Sequence, residues 1–348
     1  MATVAIVILN FNGLHFLKKY LQILVDTSPG HQVIVADNGS KDLSIAYLRK
    51  EHPAVRIIEI KQNLGFAGGY NFALKEVNTD YFVIINSDVQ TTDHWLDPLV
   101  AFLETNPNYS AVQPKILNAQ NPNQFEYAGA AGGFIDAWGY PYCRGRIFDF
   151  SENDLQQYDT PVDVFWTSGA CMLIRADDFK AQNGFDTDFF AHMEEIDLCW
   201  RLAQSGKKLK CIPASKVYHV GGGTLSKNNP HKTYLNYRNG LIMLLKNLPT
   251  SALIKIPIRM IVDVLSGLFF WRKLGFAHFK SILKAEWMFL LSFRQTWSKR
   301  VTSKDKVAIG KSALHSVVFD HFVRGKKKTI KKLINSTKVN WLFSGKVS

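Results

Sequence analysis

Three carboxylate clusters and one histidine carry the chemistry this chain can offer. Phe82 to Asp88 is a short apolar run ended by Asn86, Ser87 and Asp88, the pattern of a buried strand delivering a carboxylate to a sheet edge. Val33 to Ala36 ends in the same way, at Asp37-Asn38-Gly39-Ser40 followed by Asp42. Phe189 to Arg201 places Glu194, Glu195 and Asp197 at the start of a helix whose apolar face is Ile196, Cys199, Trp200 and Ala203, with Gly206 fitting its C-terminal cap. The helix dipole stabilises carboxylates there, which is one reading of all three; the other is a general base facing a cleft. His219 ends an apolar stretch and opens onto Val220 and Gly221 to Gly223. A histidine at such a strand end, in a chain offering Asp88, is a candidate metal ligand. Asp88 has a second reading too, as the cap of a helix starting near Thr92.

The elements that must position these groups follow from periodicity. Val4 to Leu9 is a continuous apolar run, and Leu14, Leu17, Leu21 and Leu24 then fall at helical spacing. Val33 to Ala36, Val55 to Ile60 and Phe82 to Ile85 read as the next strands, separated by helical patterns that include Ile45, Leu48, Phe72, Ala73 and Val77. Alternation at this spacing predicts an α/β fold with a largely parallel sheet and right-handed crossovers. The carboxyl ends of its strands share one edge, so Asn10 to Asn12, Asp37 to Ser40, Asn63 to Gly69 and Asn86 to Asp88 are expected to converge. Each cluster alone is ordinary turn chemistry. Gly65-Phe66-Ala67-Gly68-Gly69 reads as a glycine-rich turn leading into a helix; it lacks the full dinucleotide fingerprint and follows the wrong strand for it. Asn118 to Thr160 loses periodicity and reads as a loop-rich insertion with short strands. Val162 to Arg175 reads as a glycine-punctuated strand pair, and Lys208 to Ile212 and Ser215 to His219 as two last short strands.

A chain of 348 residues with 47% hydrophobic content supports one large domain or two ordinary ones. Its net charge of +13 suggests a nucleic-acid binder until it is divided along the chain. Residues 1–240 hold 21 basic against 25 acidic side chains, whereas residues 241–348 hold 21 against 4. Cys143, Cys171, Cys199 and Cys211 form no C-x-x-C pair and read as reduced and buried, which favours a cytoplasmic location. The strand-like Val4 to Leu9 follows the first residues directly, without the pattern of an export leader.

In order and content these landmarks resemble the family 2 glycosyltransferases of the GT-A fold, in particular their bacterial rhamnosyltransferase-like branch. The resemblance covers about residues 3–245. It rests on Val7 to Gly13, Asp37-Asn38-Gly39-Ser40 with Asp42, Asn63 to Asn71, Asn86-Ser87-Asp88, Ser168-Gly169-Ala170, the helix from Glu194 to Arg201, and His219. It implies a nucleoside diphosphate sugar donor held by Asn10, Phe11, Asn12, Asp37 and Asn38, with Gly65, Gly68 and Asn71 lining the pocket beside Asn86 and Ser87. It implies a divalent cofactor, Mg2+ or Mn2+, on Asp88 with His219. The family's Glu-Asp catalytic pair stands here as Glu194-Glu195, which gives Glu195 as the base, with Asp197 and Glu194 behind it. One base and one displacement imply inversion at the anomeric carbon. Rhamnose on deoxythymidine diphosphate is the donor that the resemblance favours, with uridine diphosphate sugars left open.

The chain therefore divides, as an expectation, into a catalytic domain over 1–245 and a basic amphipathic helical region over 246–348. In that region Lys255, Arg259 and Asp263 form one polar stripe ringed by Ile254, Ile256, Ile258, Ile261, Val262 and Leu265. No uncharged stretch reaches the length of a spanning helix. Amphipathic helices on an anionic membrane surface are expected, with Trp287 and Trp297 at the headgroup boundary and Lys299, Arg300, Lys304, Lys306, Lys326 to Lys328, Lys331 and Lys332 adding attraction. Packing as a second domain or within an oligomer is the competing reading. Nucleic acid is not expected as a partner, since no recognition motif for it is present. The expected acceptor is a lipid-linked oligosaccharide for cell-surface polysaccharide, met on the cytoplasmic face of the membrane. The competing functions are a nucleotidyltransferase or nicotinamide enzyme on a similar sheet, and a non-catalytic scaffold carrying a degenerate transferase domain.

Overall fold

In the computed structural model, which describes residues 2–221, 228–300 and 316–322, the apolar runs become the centre of a single mixed sheet. Its strands lie in the order β11-β13-β6-β12-β4-β1-β2-β3, with the short β5 added on β13. The first half is the expected parallel unit: β1 (Val4–Asn10), β2 (Gln32–Asn38), β3 (Arg56–Ile60) and β4 (Tyr81–Asn86). The second half adds β5 (Val89–Thr91), β6 (Tyr109–Asn118), β11 (Val162–Asp163), β12 (Cys171–Arg175) and β13 (Lys208–His219). Among these, β12 runs antiparallel to both its neighbours, β4 and β6, while β13 runs parallel to β6.

Both faces of the parallel strands are apolar because both are covered. Alternate residues Val4, Ile6 and Ile8 face one cluster, with Leu17, Leu21 and Leu24 from a continuous helix. That helix is α1 (Leu14–Phe16), a wider π turn over Leu17–Leu21, and α2 (Gln22–Asp26). Leu48 of α3 (Ser44–Glu51) and Leu99 and Leu103 of α5 (Asp97–Thr105) complete this side. Ala5 and Val7 face the other cluster, together with α4 (Gly65–Lys75), α7 (Glu194–Gln204) and α8 (Pro230–Asn247). A short α6 (Ala176–Ala181) follows β12.

Several boundaries differ from the sequence expectation for physical reasons. Residues 65–70 are not a turn but the first turns of α4, because the glycines there permit close packing rather than a loop. A side chain at Gly69 would collide with Leu9, and Gly65 combines a φ of +73° with direct apposition to Phe190. The strands expected at 208–212 and 215–219 are one strand, β13, with a register shift between Ile212 and Lys216 that absorbs Pro213. No helix begins near Thr92. The chain instead makes β5 on β13, and α5 starts at Asp97, so Asp88 caps no helix. Within 162–175, β11 pairs with β13 and β12 with β4 and β6, so the expected strand pair is two separate additions to the sheet.

Residues 118–160 do hold short strands, β7 (Gly133–Ile135), β8 (Pro141–Cys143), β9 (Arg146–Ile147) and β10 (Phe150–Ser151), which form a second small sheet. A buried Lys115 on β6 pins this insertion by pairing with Asp154 and Asp159.

The expected boundary at 245/246 falls inside α8. Beyond it, α9 (Lys255–Leu274), α10 (Phe276–Leu291) and α11 (Phe293–Ser298) follow, and Ile256 and Phe289 join the same apolar cluster as α7 and α8. A further helical segment, α12 (Val317–Phe322), touches the insertion through the Val317 amide on Asp136. Among the described residues no helix is long and apolar enough to cross a membrane. All four cysteines are buried and unpaired, as expected.

The polar stripe of α9 faces the opposite way from an interfacial helix. Arg259 and Asp263 are buried and joined at 2.8 Å, with Arg259 stacked on Tyr140 and Asp263 accepting from the Tyr140 hydroxyl at 3.0 Å. Lys255 donates to the Ala137 carbonyl. These charges hold the insertion, so their expected attraction to lipid does not apply. Lys299 and Arg300 are likewise engaged internally, Lys299 with Asp186 and Asp188, Arg300 with the carbonyls of Leu245 and Leu248. The apolar side of the same helices is what meets solvent: Ile254, Ile258, Ile261, Leu265, Leu268 and Phe269 on α9 are exposed, as are Phe276, Leu283, Trp287 and Leu291 on α10. Lys304, Lys306, Lys326 to Lys328, Lys331 and Lys332 lie outside the described residues.

Candidate active site

The carboxyl ends of β1, β2, β4, β6 and β13 share one edge of the sheet, and most of the polar residues singled out above lie along it. At β1 and β2, the Asn10 amide donates to Asp37 Oδ1 at 2.9 Å, and Asp37 Oδ2 accepts from the Ser40 amide at 2.9 Å. Asn10 Oδ1 is buried without a partner. Asn12 takes a left-handed conformation, φ 51°, and its Oδ1 accepts from the Lys41 amide at 2.8 Å. Phe11 beside it is partly exposed. Asp37 and Asn10 thus form a rigid polar corner beside the β1 end.

Asn38 is spent differently. It donates to Asn63 Oδ1 and the Gly65 carbonyl and accepts from the Leu64 amide, all at 3.0 Å, which ties β2 to the start of α4. Asn71 is also committed, donating to the Phe185 carbonyl at 2.7 Å and accepting from its amide at 2.9 Å. A side chain at Gly68 would meet Leu64. Asn38, Asn71 and the glycines at 65 and 68 therefore build the wall beside the sheet edge, with the side chains of Asn38 and Asn71 already hydrogen-bonded.

At the end of β4, Asp88 is buried and lies 3.0 Å from His219 Nε2. The other ring nitrogen, Nδ1, lies 3.1 Å from Glu126 Oε2, and the Asn86 amide is 3.4 Å from Nε2. Burial opposes charge on all three groups. The two carboxylates outweigh it at His219, which is raised to about 10, and His219 outweighs it at Asp88, which is held below the usual carboxylate range. Glu126 was not found from the sequence, because it lies in the aperiodic insertion and only the pairing of β6 with β13 carries the chain there; no signal short of that register marks it.

A divalent ion would have to displace the proton that Asp88 and Glu126 favour on His219; an oxygen and a nitrogen donor then converge, with the Glu126 carboxylate 3.1 Å behind the imidazole. Among the described residues no cluster offers three protein ligands at once, and Asp88 and His219 are the pair that would hold such an ion.

Glu194 and Glu195 open α7 behind a strained turn. Phe190, His192 and Met193 all have positive φ, 61°, 71° and 74°, a costly conformation outside glycine. Asn239 of α8, wholly buried, holds this turn by donating to the carbonyls of Phe189, Ala191 and His192 at 2.8–2.9 Å. The turn also accepts from the Ala67 amide through the Phe190 carbonyl. Glu194 Oε2 and Glu195 Oε2 are buried without hydrogen-bond partners. Burial raises both carboxyls, Glu195 to about 7, and the neighbouring negative charge adds to the rise at Glu194. Glu195 lies against Gly169, whose neighbour Ala170 accepts from the Asn86 amide at 3.0 Å. Ser168-Gly169-Ala170 thus joins the Glu195 side to the Asp88 side.

Asp197, although adjacent in sequence, is not free to act as a base. Its carboxylate is fully buried and held by Arg201 and Lys246 at 2.9 Å and by Asn247 at 2.8 Å. Burial pushes its carboxyl up, but the two cations outweigh that and hold it below the usual range. It is the lock between α7 and α8.

The mostly parallel sheet flanked by helices, with Asp88 and His219 at its strand ends, has the architecture of the GT-A fold. The model of glycosyl transferase family 2 matches residues 5–181, and the chain belongs to that family: it is a glycosyltransferase. It is 26% identical over 223 residues to the N-acetylglucosaminyl-diphospho-decaprenol L-rhamnosyltransferase of Mycobacterium tuberculosis, covering 60% of this chain and 72% of that one. It is also 26% identical to the rhamnosyltransferase WbbL of Escherichia coli, over 62% of this chain and 83% of that one. Similar folds occur in GalNAc-T7 with UDP, GalNAc and Mn2+, at a TM-score of 0.57 and 13% identity over 84% of this chain and 58% of that one. The mannosyltransferase PcManGT of Pyrobaculum calidifontis with GDP-Man and Mn2+ gives a TM-score of 0.53 at 12% identity over 83% and 87%.

Proposed function

We propose that this enzyme transfers a sugar, rhamnose being favoured by its similar proteins, from a nucleoside diphosphate donor to a lipid-linked glycan, with inversion and with Mg2+ or Mn2+. The observation that carries the reading is two groups linked through Gly169 and Ala170: Asp88 with His219 at the strand ends, and Glu195 with an unpartnered, raised carboxyl. Asn10, Asn12 and Asp37 receive the nucleoside, with Phe11 and Ser87 at the rim. Asp88 and His219 would hold the ion, which supplies positive charge to the departing diphosphate. Glu195 takes the proton from the acceptor hydroxyl as that oxygen attacks the anomeric carbon. Its raised pKa makes it a competent base near neutral pH. With one base and no second nucleophile assigned, a single displacement inverts the centre.

The membrane enters through the exposed apolar side of α9 and α10. Exposed aliphatic and aromatic side chains on these helices, with Trp287 on α10, Trp297 on α11 and Arg272, Lys273, Lys280 and Lys284 nearby, suit the boundary between headgroups and acyl chains. Such a seat would place the enzyme on the inner face of the cell membrane, where a lipid-linked acceptor is presented. The test is transfer: purified enzyme is given a panel of nucleotide sugars with an acceptor glycolipid and Mn2+, and product anomers are read by NMR. Retention of configuration, or full activity in chelator, overturns the mechanism.

A further inference from the structure

One cluster of charge near the site is unused by this scheme. Glu126, which backs His219, is followed by Tyr127, whose ring is partly exposed. The Arg146 guanidinium stacks 3.2 Å from the centre of that ring, and its Nη1 donates to the Tyr127 carbonyl at 2.8 Å. Arg146 Nε donates to the Phe148 carbonyl at 2.8 Å, which fixes the guanidinium over the ring. Lys232, in the first turn of α8, lies 5.7 Å from the same ring centre. The two cations therefore stand at most about 9 Å from each other. Neither has a carboxylate partner among the described residues, whereas the buried cations Lys115, Lys246 and Arg259 each do.

The surroundings also match an anion rather than a carboxylate-rich protein surface. His192, on the turn before Glu194, has a buried Nε2 without a partner; burial, then Lys232 and His231, push the ring down to about 3, so it stays neutral beside the cations. The Arg146 charge, aided by Lys232, holds the Tyr127 phenol below its ordinary value. The patch thus adjoins Glu126 through Tyr127 and the turn before Glu194 through His192, which feels the Lys232 charge. It is carried partly by α8, the helix on which α10 packs and beside which the apolar face is exposed.

We propose that Arg146 and Lys232, over the Tyr127 ring, bind the phosphate or diphosphate by which the acceptor sugar is joined to its lipid. This rests on the lipid-linked acceptor reading and adds to it a place for the charged link. The donor diphosphate is the other source of the same chemistry, and the two are separable. The probe is hexyl diphosphate, titrated calorimetrically into the full chain already saturated with UDP or dTDP and Mg2+, which fill the donor site. Binding is expected, with about tenfold loss in each of Arg146→Gln and Lys232→Met, partial recovery in Lys232→Arg, and unchanged affinity for the nucleotide. A charge-assisted contact is of that size. Loss of nucleotide affinity in the variants, or displacement of hexyl diphosphate by the nucleotide, assigns the cations to the donor and overturns the proposal. Equal binding by variants and wild type also overturns it. Thermal melts on each variant separate misfolding from lost contact. Failure of the wild type to glycosylate any lipid-linked acceptor would instead refute the function while leaving this binding result to stand on its own.

Discussion

The sheet edge and the α9–α10 helices treat charge in opposite ways. At the edge, apolar residues are buried and the polar ones sit at strand ends and at the start of α7, where Asn10, Glu194 and Glu195 each keep a buried oxygen unpartnered. In the helices Arg259 and Asp263 are inside and paired with each other through Asp263 Oδ1, while Ile261, Leu265 and Trp287 are outside. Unsatisfied polar atoms are costly, so the first region stores that cost where a ligand can relieve it. The second turns the Arg259–Asp263 pair inward, with Asp263 Oδ2 and Glu286 Oε1 still unpartnered, and leaves apolar area uncovered, which a lipid surface can cover. One region is unfinished toward a polar substrate, the other toward an apolar phase.

The sharpest way to break this contrast is at the edge. Asp88→Ala and Glu195→Gln should each reduce kcat by at least about a thousandfold with unchanged circular dichroism, on the scale of losing a main electrostatic group or base. Near-wild-type turnover by Glu195→Gln would remove it as the base. The same substitution should raise stability above pH 7. Since burial lifts this carboxyl to about 7, the unfolded chain loses the proton first and stability declines as pH rises from the ordinary glutamate range to 7. Removing the charge recovers about 1–2 kcal/mol after allowance for partial exposure, read as a higher Tm at pH 8. In wild type, kcat should fall as pH drops below about 7, when Glu195 takes up its proton.

In the helices the largest effect should come from a charge that lipid never meets. Arg259→Ala leaves Asp263 buried and unpaired, and should cost about 3–5 kcal/mol of stability in denaturant melts. By contrast, Ile261→Glu with Leu265→Glu should leave stability within about 1 kcal/mol but abolish sedimentation with anionic liposomes. If wild-type binding is instead lost entirely at high salt, and the glutamate pair has no effect, the attraction is electrostatic and the apolar face faces something else. A smaller effect is expected for metal alone. With Asn86 where a second acid would add charge, Mn2+ should bind weakly without nucleotide and tighten when a nucleoside diphosphate is added, as read by electron paramagnetic resonance. Tight binding to the empty enzyme contradicts that.

Much of this was legible in the chain. Continuous apolar runs ending in Asn10, Asp37 and Asp88 could only be strands buried on both faces, and parallel connection then forces their ends to one edge. Glutamates opening an amphipathic helix were visible for the same reason. What each carboxylate does was not. Glu194, Glu195 and Asp197 differ little in sequence context, yet α8 brings Lys246 and Asn247 to Asp197 and nothing to Glu195. Likewise nothing in their spacing tells that Asn71 and Asn38 are hydrogen-bonded to the loop at Phe185 and the start of α4. The helical region shows the limit most plainly. Periodicity established that Lys255, Arg259 and Asp263 share a stripe, but a stripe has no inside or outside until a partner is present. Tyr140 and the carbonyls of Ala137 and Trp138, supplied from more than a hundred residues away, decided that the charges turn inward. Local spacing determines which residues face together, because that depends only on helix and strand geometry; which way they face, and which are left free for chemistry, is set by long-range pairing that no local pattern encodes.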